Sequence, residues 1–279
     1  KSMFVPFSHM RGVLAESWET PDDTTIIFHI RKGVRWHNKA PVNGRELTAK
    51  DIEYNWQRLM GLGKFSEAGP TPAHRFSARF ESVTATDDST VVMKLKEPFL
   101  DALGIMLGHN STFIVPREVI EQYGDMQDWR NVVGTGPFEL TEIVDGSSFT
   151  YVKNPDYWGF DEKYPENRLP YVDELRVLAM GEDATIMAAL RSGKLDYIHY
   201  LINLDSVLSL KRTNPEIAVH TLLFRSQNSF APNLRVPPFD DINVRRAMQM
   251  ALDTETAVAT FWKGEADATP FGWQGVKGY

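Results

Sequence analysis

Residues 25–37 read Thr-Ile-Ile-Phe-His-Ile-Arg-Lys-Gly-Val-Arg-Trp-His, and the first half of this stretch has the pattern of a β-strand. Ile26, Phe28 and Ile30 occupy every second position, and β-branched or aromatic side chains suit a half-buried pleated strand. Asp22 and Asp23 stand just before it, where they are typical of a turn. We therefore predict a strand that the chain enters through a turn.

A helix is predicted next along the chain. The threonine and aspartate of residues 48–51 have the spacing of a capping box, and Ile52, Trp56 and Leu59 then recur at helical spacing. These three side chains would lie on one face, so the pattern predicts an amphipathic helix. We expect it to end at one of the glycines in residues 61–63.

The rest of the chain changes from a hairpin pattern to an alternation of strands and helices. From Gly134 onward this alternation is the order typical of an α/β fold. The predicted elements are a hairpin with strands near 83–85 and 91–95, a helix between Pro116 and Gly124, strands over 149–152 and 172–177, a helix over 183–191, and a last helix capped by Asp240 or Asp241.

Seven short segments, in a fixed order, give the chain a family resemblance. They are LAESW (14–18), FHIRKGVRWH (28–37), LTAKDI (47–52), GTGPF (134–138), NPDYWG (154–159), LRSGKLD (190–196) and PFDD (238–241), the last followed by Val244-Arg245, Ala247 and Ala251-Leu252-Asp253. Together they resemble solute-binding protein family 5, the two-lobed binding proteins for peptides, nickel chelates and some oligosaccharides. The resemblance covers nearly all of the chain.

The resemblance implies a fold and a domain order. The expected class is α/β, of the type II periplasmic binding protein kind, with an extra α+β domain on the first lobe. Residues 1–133 would form that extra domain, 134–236 the α/β core of the first lobe, and 237–279 the start of a truncated second lobe. Most of the second lobe would then lie outside this fragment.

Composition excludes several classes of function. The 279 residues carry 30 Lys and Arg against 37 Asp and Glu, a formal net charge of -7, so a nucleic-acid partner is not expected. There is no Cys, which removes disulfides, thiol catalysis and Cys-ligated metals. No stretch approaches the roughly 20 apolar residues of a membrane span. The seven His are scattered, so we predict no metal site and no cofactor.

Two segments are candidates for lining a ligand cleft. In the resembled family the chain of the extra domain returns toward the cleft near His109, Asn110, Ser111 and Thr112. The family usually has an Asn at the seam between lobes, to which we align Asn233, with Gln227 and Asn228 as alternatives. An amide there could donate to and accept from a peptide main chain, or it could simply cap a loop. Trp273 is a further aromatic candidate.

The resemblance implies the binding component of an ABC importer rather than an enzyme. Two lobes would close on a peptide by a hinge motion, and a membrane permease would recognise the closed, monomeric protein outside the cytoplasm. Oligosaccharides and nickel chelates are the second and third alternatives for the ligand. A secreted hydrolase and a purely structural surface protein remain as other classes. The hydrolase has little support, because no Gly-x-Ser-x-Gly or His-Glu-x-x-His motif is present.

Overall fold

The computed structural model describes residues 11–69, 77–99, 102–103, 112–198, 204–220, 231–264 and 266. The chain divides into two compact units, one over Met10–Ala179 and one that contains Met180–Tyr279. The domain boundaries expected near residues 133 and 236 stay predictions.

A four-stranded antiparallel sheet is the centre of the first unit. Its strands are β1 (Ala15–Asp22), β2 (Thr25–Ile30), β3 (Phe80–Ala85) and β4 (Thr90–Leu95), in the order β1-β2-β4-β3. The strand predicted from the alternation at residues 25–30 and the predicted hairpin are both confirmed. Asp22 makes the expected turn, because its carboxylate accepts hydrogen bonds from the backbone and side chain of Thr24.

Both outer strands of this sheet pair irregularly with their neighbours. The pairing of β1 with β2 shifts register between Ala15 and Ser17 and again between Glu19 and Asp22. The pairing of β3 with β4 shifts between Phe80 and Ser82. Such shifts interrupt the regular ladder of backbone hydrogen bonds along each outer strand.

Helix α1 (Ala49–Met60) packs against this sheet and confirms the predicted helix. The Thr48 N–H donates to the Asp51 carboxylate at 3.0 Å, as the capping pattern predicted. Gly61 ends the helix in the left-handed conformation with φ 66°, which glycine adopts without a steric cost. The apolar face of the helix meets a core built largely from strands β2 to β4, whose members include Ile26, Ile30, Trp36, Ile52, Trp56, Phe80, Val83, Val91 and Met93.

A second antiparallel sheet completes the first unit. Its strands are β5 (Phe138–Val144), β6 (Ser148–Lys153) and β7 (Glu174–Leu178), in chain order. Helix α2 (Arg117–Tyr123) precedes it and ends at Gly124, as predicted. The described strands of both sheets are thus all antiparallel.

His37 joins the two sheets. Its ring is buried; Nδ1 accepts the Gly134 N–H at 3.2 Å, and Nε2 lies 3.1 Å from the Gly136 carbonyl oxygen. Because Nδ1 accepts a hydrogen bond, the neutral ring must carry its proton on Nε2 and donate it to Gly136. Asn154 donates to the same carbonyl at 3.0 Å, so the residues just before β5 are held from two sides.

Four helices form the described part of the second unit. They are α3 (Asp183–Arg191), α4 (Leu204–Thr213), α5 (Ile242–Ala251) and α6 (Thr254–Phe261). Helices α3 and α5 confirm predictions, and Asp241 caps α5 by accepting the Asn243 N–H at 2.7 Å. None of the helices in the described part of the chain has the length and apolar character of a membrane span.

Candidate ligand-binding segments

Helix α1 holds the chain that follows the first candidate segment. Asn55 is completely buried, and its amide makes two hydrogen bonds to Val115: Nδ2 donates to the Val115 carbonyl at 2.6 Å, and Oδ1 accepts the Val115 N–H at 3.1 Å. Nδ2 also donates to the Asp51 carbonyl at 2.9 Å. The Asn55 side chain thereby hydrogen-bonds both the N–H and the carbonyl of Val115, as the backbone of a neighbouring β-strand would.

A cluster of charged side chains holds the chain three residues after Val115, at Glu118 in the first turn of α2. Arg45 donates to both oxygens of Asp51, at 2.6 and 2.8 Å, and to both oxygens of Glu118, at 2.6 and 2.8 Å. These hydrogen bonds lower the pKa of Glu118, and the bonds to Asp51 first and Glu118 second raise the pKa of Arg45. One guanidinium therefore ties the start of α1 to the start of α2.

Burial varies from residue to residue in the chain that precedes this anchor. Val115 and Pro116 are buried, Ile114 packs partly against the core, and Phe113 is 72% exposed. Thr112, the described member of the first candidate segment, is half-buried. The other members, His109, Asn110 and Ser111, lie outside the described residues, so ligand contact by this segment stays a prediction.

Among the candidate residues of the second segment, Asn233 is the one that the structure describes. Its Oδ1 accepts the Arg235 N–H at 3.1 Å, and its carbonyl accepts the Val236 N–H at 3.1 Å. Asn233 is exposed and shapes a local turn, which is one of the two uses predicted for this amide. Gln227, Asn228 and Trp273 lie outside the described residues, and a ligand role for these residues stays a prediction.

The described residues offer no centre for metal chemistry. Within the stretches that the structure covers, no three His, Asp or Glu side chains come together as metal ligands would. The Gly134–Gly136 stretch, which superficially resembles a phosphate loop, is instead held by the His37 ring. Gly134 and Gly136 thus provide the backbone groups that hydrogen-bond His37 at the junction between the two sheets.

Sequence reasoning missed Asn55 and the partners of His37. Asn55 stands one helical turn after Asp51, so a second polar residue on the buried side of an amphipathic helix was the available signal. His37 belongs to a recognised motif, but its partners Gly134 and Gly136 lie almost a hundred residues away.

Comparison with known proteins gives the class. The family model described as bacterial extracellular solute-binding proteins, family 5 Middle, matches residues 9–276. The chain belongs to this family, which confirms the resemblance and the extracytoplasmic location predicted from the sequence. At the level of the family, solute binding rather than catalysis is also supported.

Individual relatives are distant and longer than this chain. The periplasmic oligopeptide-binding protein OppA of Salmonella typhimurium is 28% identical over 266 residues, which cover 90% of this chain and 46% of OppA. The probable deoxycholate-binding periplasmic protein YgiS of Escherichia coli is 28% identical over 258 residues, covering 86% and 45% of the two chains.

A solved structure agrees in fold. The periplasmic binding protein DppA of Helicobacter pylori, in complex with the peptide STSA, matches with a TM-score of 0.71 and 25% identity over 91% of this chain and 50% of DppA. This likeness confirms the predicted α/β class of a type II periplasmic binding protein. The chain spans about half the length of the relatives that it matches.

Proposed function

We propose that the chain is part of the substrate-binding component of an ABC importer and that its ligand is a peptide. It contributes the first lobe and the start of the second, and the two lobes close on the ligand by a hinge motion. The partner is the membrane permease, which recognises the closed monomer. No cofactor and no catalytic step are required.

The observation that carries this proposal is the family match over residues 9–276. The peptide as ligand is supported by two relatives, since OppA is an oligopeptide-binding protein and DppA was solved with a peptide. The net charge of -7 supports a partner other than nucleic acid. An oligosaccharide or a nickel chelate is the alternative ligand, and a secreted hydrolase is the alternative class.

Thermal unfolding with a ligand panel tests the proposal. The protein should contain residues 1–279 and a complete second lobe, should be freed of bound ligand, and should be heated with di- to pentapeptides, short oligosaccharides, deoxycholate, or nickel with histidine. A ligand at about 100 times its dissociation constant adds about 2.7 kcal/mol to the free energy of unfolding. Stabilisation by peptides alone supports the proposal. Stabilisation by another compound of the panel alone refutes the proposal that the ligand is a peptide. Turnover of a panel member identifies the hydrolase.

The role of Thr112 is tested in the same protein by Thr112→Val, which removes the hydroxyl and keeps the shape of the side chain. We expect peptide affinity to fall roughly fivefold to tenfold, the worth of about one hydrogen bond. Thr141→Val is the matched control, because Thr141 is exposed on β5 and donates to the Thr150 carbonyl. Equal affinity of the two variants would remove Thr112 from the site.

A further inference from the structure

Residues 42–45 form a tight turn whose centre is the pair Asn43-Gly44. The Val42 carbonyl accepts the Arg45 N–H at 3.4 Å, which closes the turn. Asn43 has a φ of 54° and Gly44 a φ of 69°. Positive φ at both central residues is the pattern of a type I′ turn, for which Asn-Gly is a preferred pair. This is the one Asn-Gly pair in the 279-residue sequence.

The peptide group between Asn43 and Gly44 can rotate without losing a described hydrogen bond. Within the part of the chain that the structure describes, no hydrogen bond of this turn uses the Asn43 carbonyl or the Gly44 N–H. Asn43 is exposed, and its Nδ2 donates to the Pro41 carbonyl at 3.2 Å. Because glycine adopts negative φ as readily as positive φ, Gly44 permits this peptide plane to flip. The flip converts a type I′ turn into a type II′ turn, which also has positive φ at its first central residue.

This flip decides whether the Gly44 nitrogen can reach the Asn43 side chain. In a type I′ turn the nitrogen and the side chain lie on opposite sides of the Cα–C bond of Asn43. In a type II′ turn they lie on the same side, as a five-membered ring through Cγ requires. Gly44 adds no side chain that would shield its nitrogen, and the exposed Asn43 leaves room for water. The turn therefore holds both groups one backbone rotation away from reaction.

We propose that Asn43 is a site of spontaneous covalent modification of the folded protein. The Gly44 nitrogen attacks Cγ of Asn43: the N–Cγ bond forms, the Cγ–Nδ2 bond breaks, and the side-chain nitrogen leaves as ammonia with the proton from the Gly44 nitrogen. Water then adds to one of the two ring carbonyls. Opening at Cγ leaves aspartate, and opening at the backbone carbonyl leaves isoaspartate, in which the chain continues through Cγ. Water is the one co-reactant, and the inference does not depend on the proposed function.

Either product alters the turn that carries Arg45. The Arg45 carbonyl accepts the Trp36 N–H at 3.0 Å, and its guanidinium binds both Asp51 and Glu118. Aspartate adds a negative charge and keeps the length of the backbone. Isoaspartate also adds a carbon to the main chain within the turn, so it shifts Arg45 relative to these partners. The isoaspartate form should thus be the less stable product.

The first test is an ageing experiment on a protein that contains residues 1–279 and a complete second lobe. Samples are kept folded at mildly alkaline pH, well below the unfolding temperature, and tryptic peptides are analysed by mass spectrometry for conversion of the amide to the acid. Asn38 is the internal control, because it is exposed but is followed by Lys39, whose side chain hinders attack. We expect conversion at Asn43 to be at least about tenfold faster than at Asn38. A smaller ratio overturns the proposal.

A parallel sample in urea separates the effect of the fold from that of the sequence. An unfolded chain rotates freely about the Asn43-Gly44 peptide group, so it gives the rate that the pair has without the turn. The flipped conformation is sparsely populated for asparagine, so we expect the folded protein to convert within about a hundredfold of the unfolded chain. A slower reaction in the folded protein would show that the turn locks the peptide plane, and the proposal would then be wrong.

The second test concerns the products. The isoaspartate form is separated chromatographically from the aged protein and compared with Asn43→Asp, which is the aspartate product made directly. We expect its melting temperature to lie about 2 °C or more below that of Asn43→Asp, because Arg45 is displaced from Asp51 and Glu118. Equal melting temperatures would overturn the assigned effect on Arg45.

Discussion

Replacing His37 with Phe tests the junction between the two sheets. Phe keeps a planar ring in the buried site but removes both ring nitrogens, so the Gly134 N–H loses its acceptor. The Gly136 carbonyl loses one donor and keeps the other, the Asn154 amide at 3.0 Å. Gly134 is half-buried, so its orphaned N–H costs about 1 kcal/mol, the low end for a buried donor, and the lost bond to a carbonyl that stays satisfied costs about 0.5–1.5 kcal/mol.

The expected result for His37→Phe is a loss of roughly 1.5–2.5 kcal/mol in the free energy of unfolding, measured in urea at pH 7.5. For a unit of this size, the melting temperature should drop by about 3–10 °C. His29→Phe is the matched control, because the His29 side chain is partly exposed and its described hydrogen bond is to the exposed Glu19, at 2.7 Å. A loss below about 0.5 kcal/mol for His37→Phe, the size expected for the control, would refute the role of the junction.

The difference in unfolding free energy between the natural protein and His37→Phe should depend on pH. Burial lowers the pKa of His37 below its usual 6.5, an effect that the hydrogen bond to Gly136 and the nearby Glu139 oppose and that Lys39 reinforces. Below pH 6.5 the unfolded chain therefore binds a proton that the folded chain excludes, and stability falls as the pH falls. The advantage of the natural protein over His37→Phe should shrink by up to about 1.4 kcal/mol per pH unit. A constant difference between pH 7.5 and 5 would contradict the assigned neutral ring.

Two further substitutions, each with a control variant, test local features of the first unit. Arg45→Met removes the guanidinium partner of the Asp51 carboxylate, which is 6% exposed and keeps only the Thr48 N–H among its described donors. The free energy of unfolding should fall by roughly 2–3 kcal/mol, less than for a fully buried pair because Arg45 is one-third exposed. Arg130→Met, which breaks a surface pair, should change the urea midpoint little. Gly61→Ala forces a side chain into the left-handed region and should cost about 1–2 kcal/mol in thermal unfolding. Gly136→Ala should be close to neutral, since its φ is not positive and a Cβ there meets nothing within 4 Å.

Local patterns predicted the elements that carry their own signals. Helix α1 followed from the spacing of Ile52, Trp56 and Leu59 and from the glycine that ends it, because these features act within a few residues. Strand β1 was not predicted as a strand. Most of its residues are exposed and it contains Pro21, so the strand shows no alternation of apolar and polar residues.

Contacts between distant residues escaped the sequence for a different reason. The bonds of Asn55 to Val115 span 60 residues and those of His37 to Gly134 span 97. A single sequence records which groups need partners but not which partners the fold brings near. For the candidate ligand-binding segments, the family resemblance supplied the positions, and of these only Thr112 and Asn233 fall among the described residues.

The irregular outer strands of the four-stranded sheet have a consequence for selectivity. A protein that captures extended peptides is exposed to many of them, and a regular outer strand would recruit peptides as an additional strand. Pro21 offers no N–H on β1, the exposed Glu19 adds charge there, and both outer strands shift register. These features disfavour the addition of a further strand at either edge. The peptides that the protein is proposed to bind are therefore less able to pair nonspecifically with this sheet.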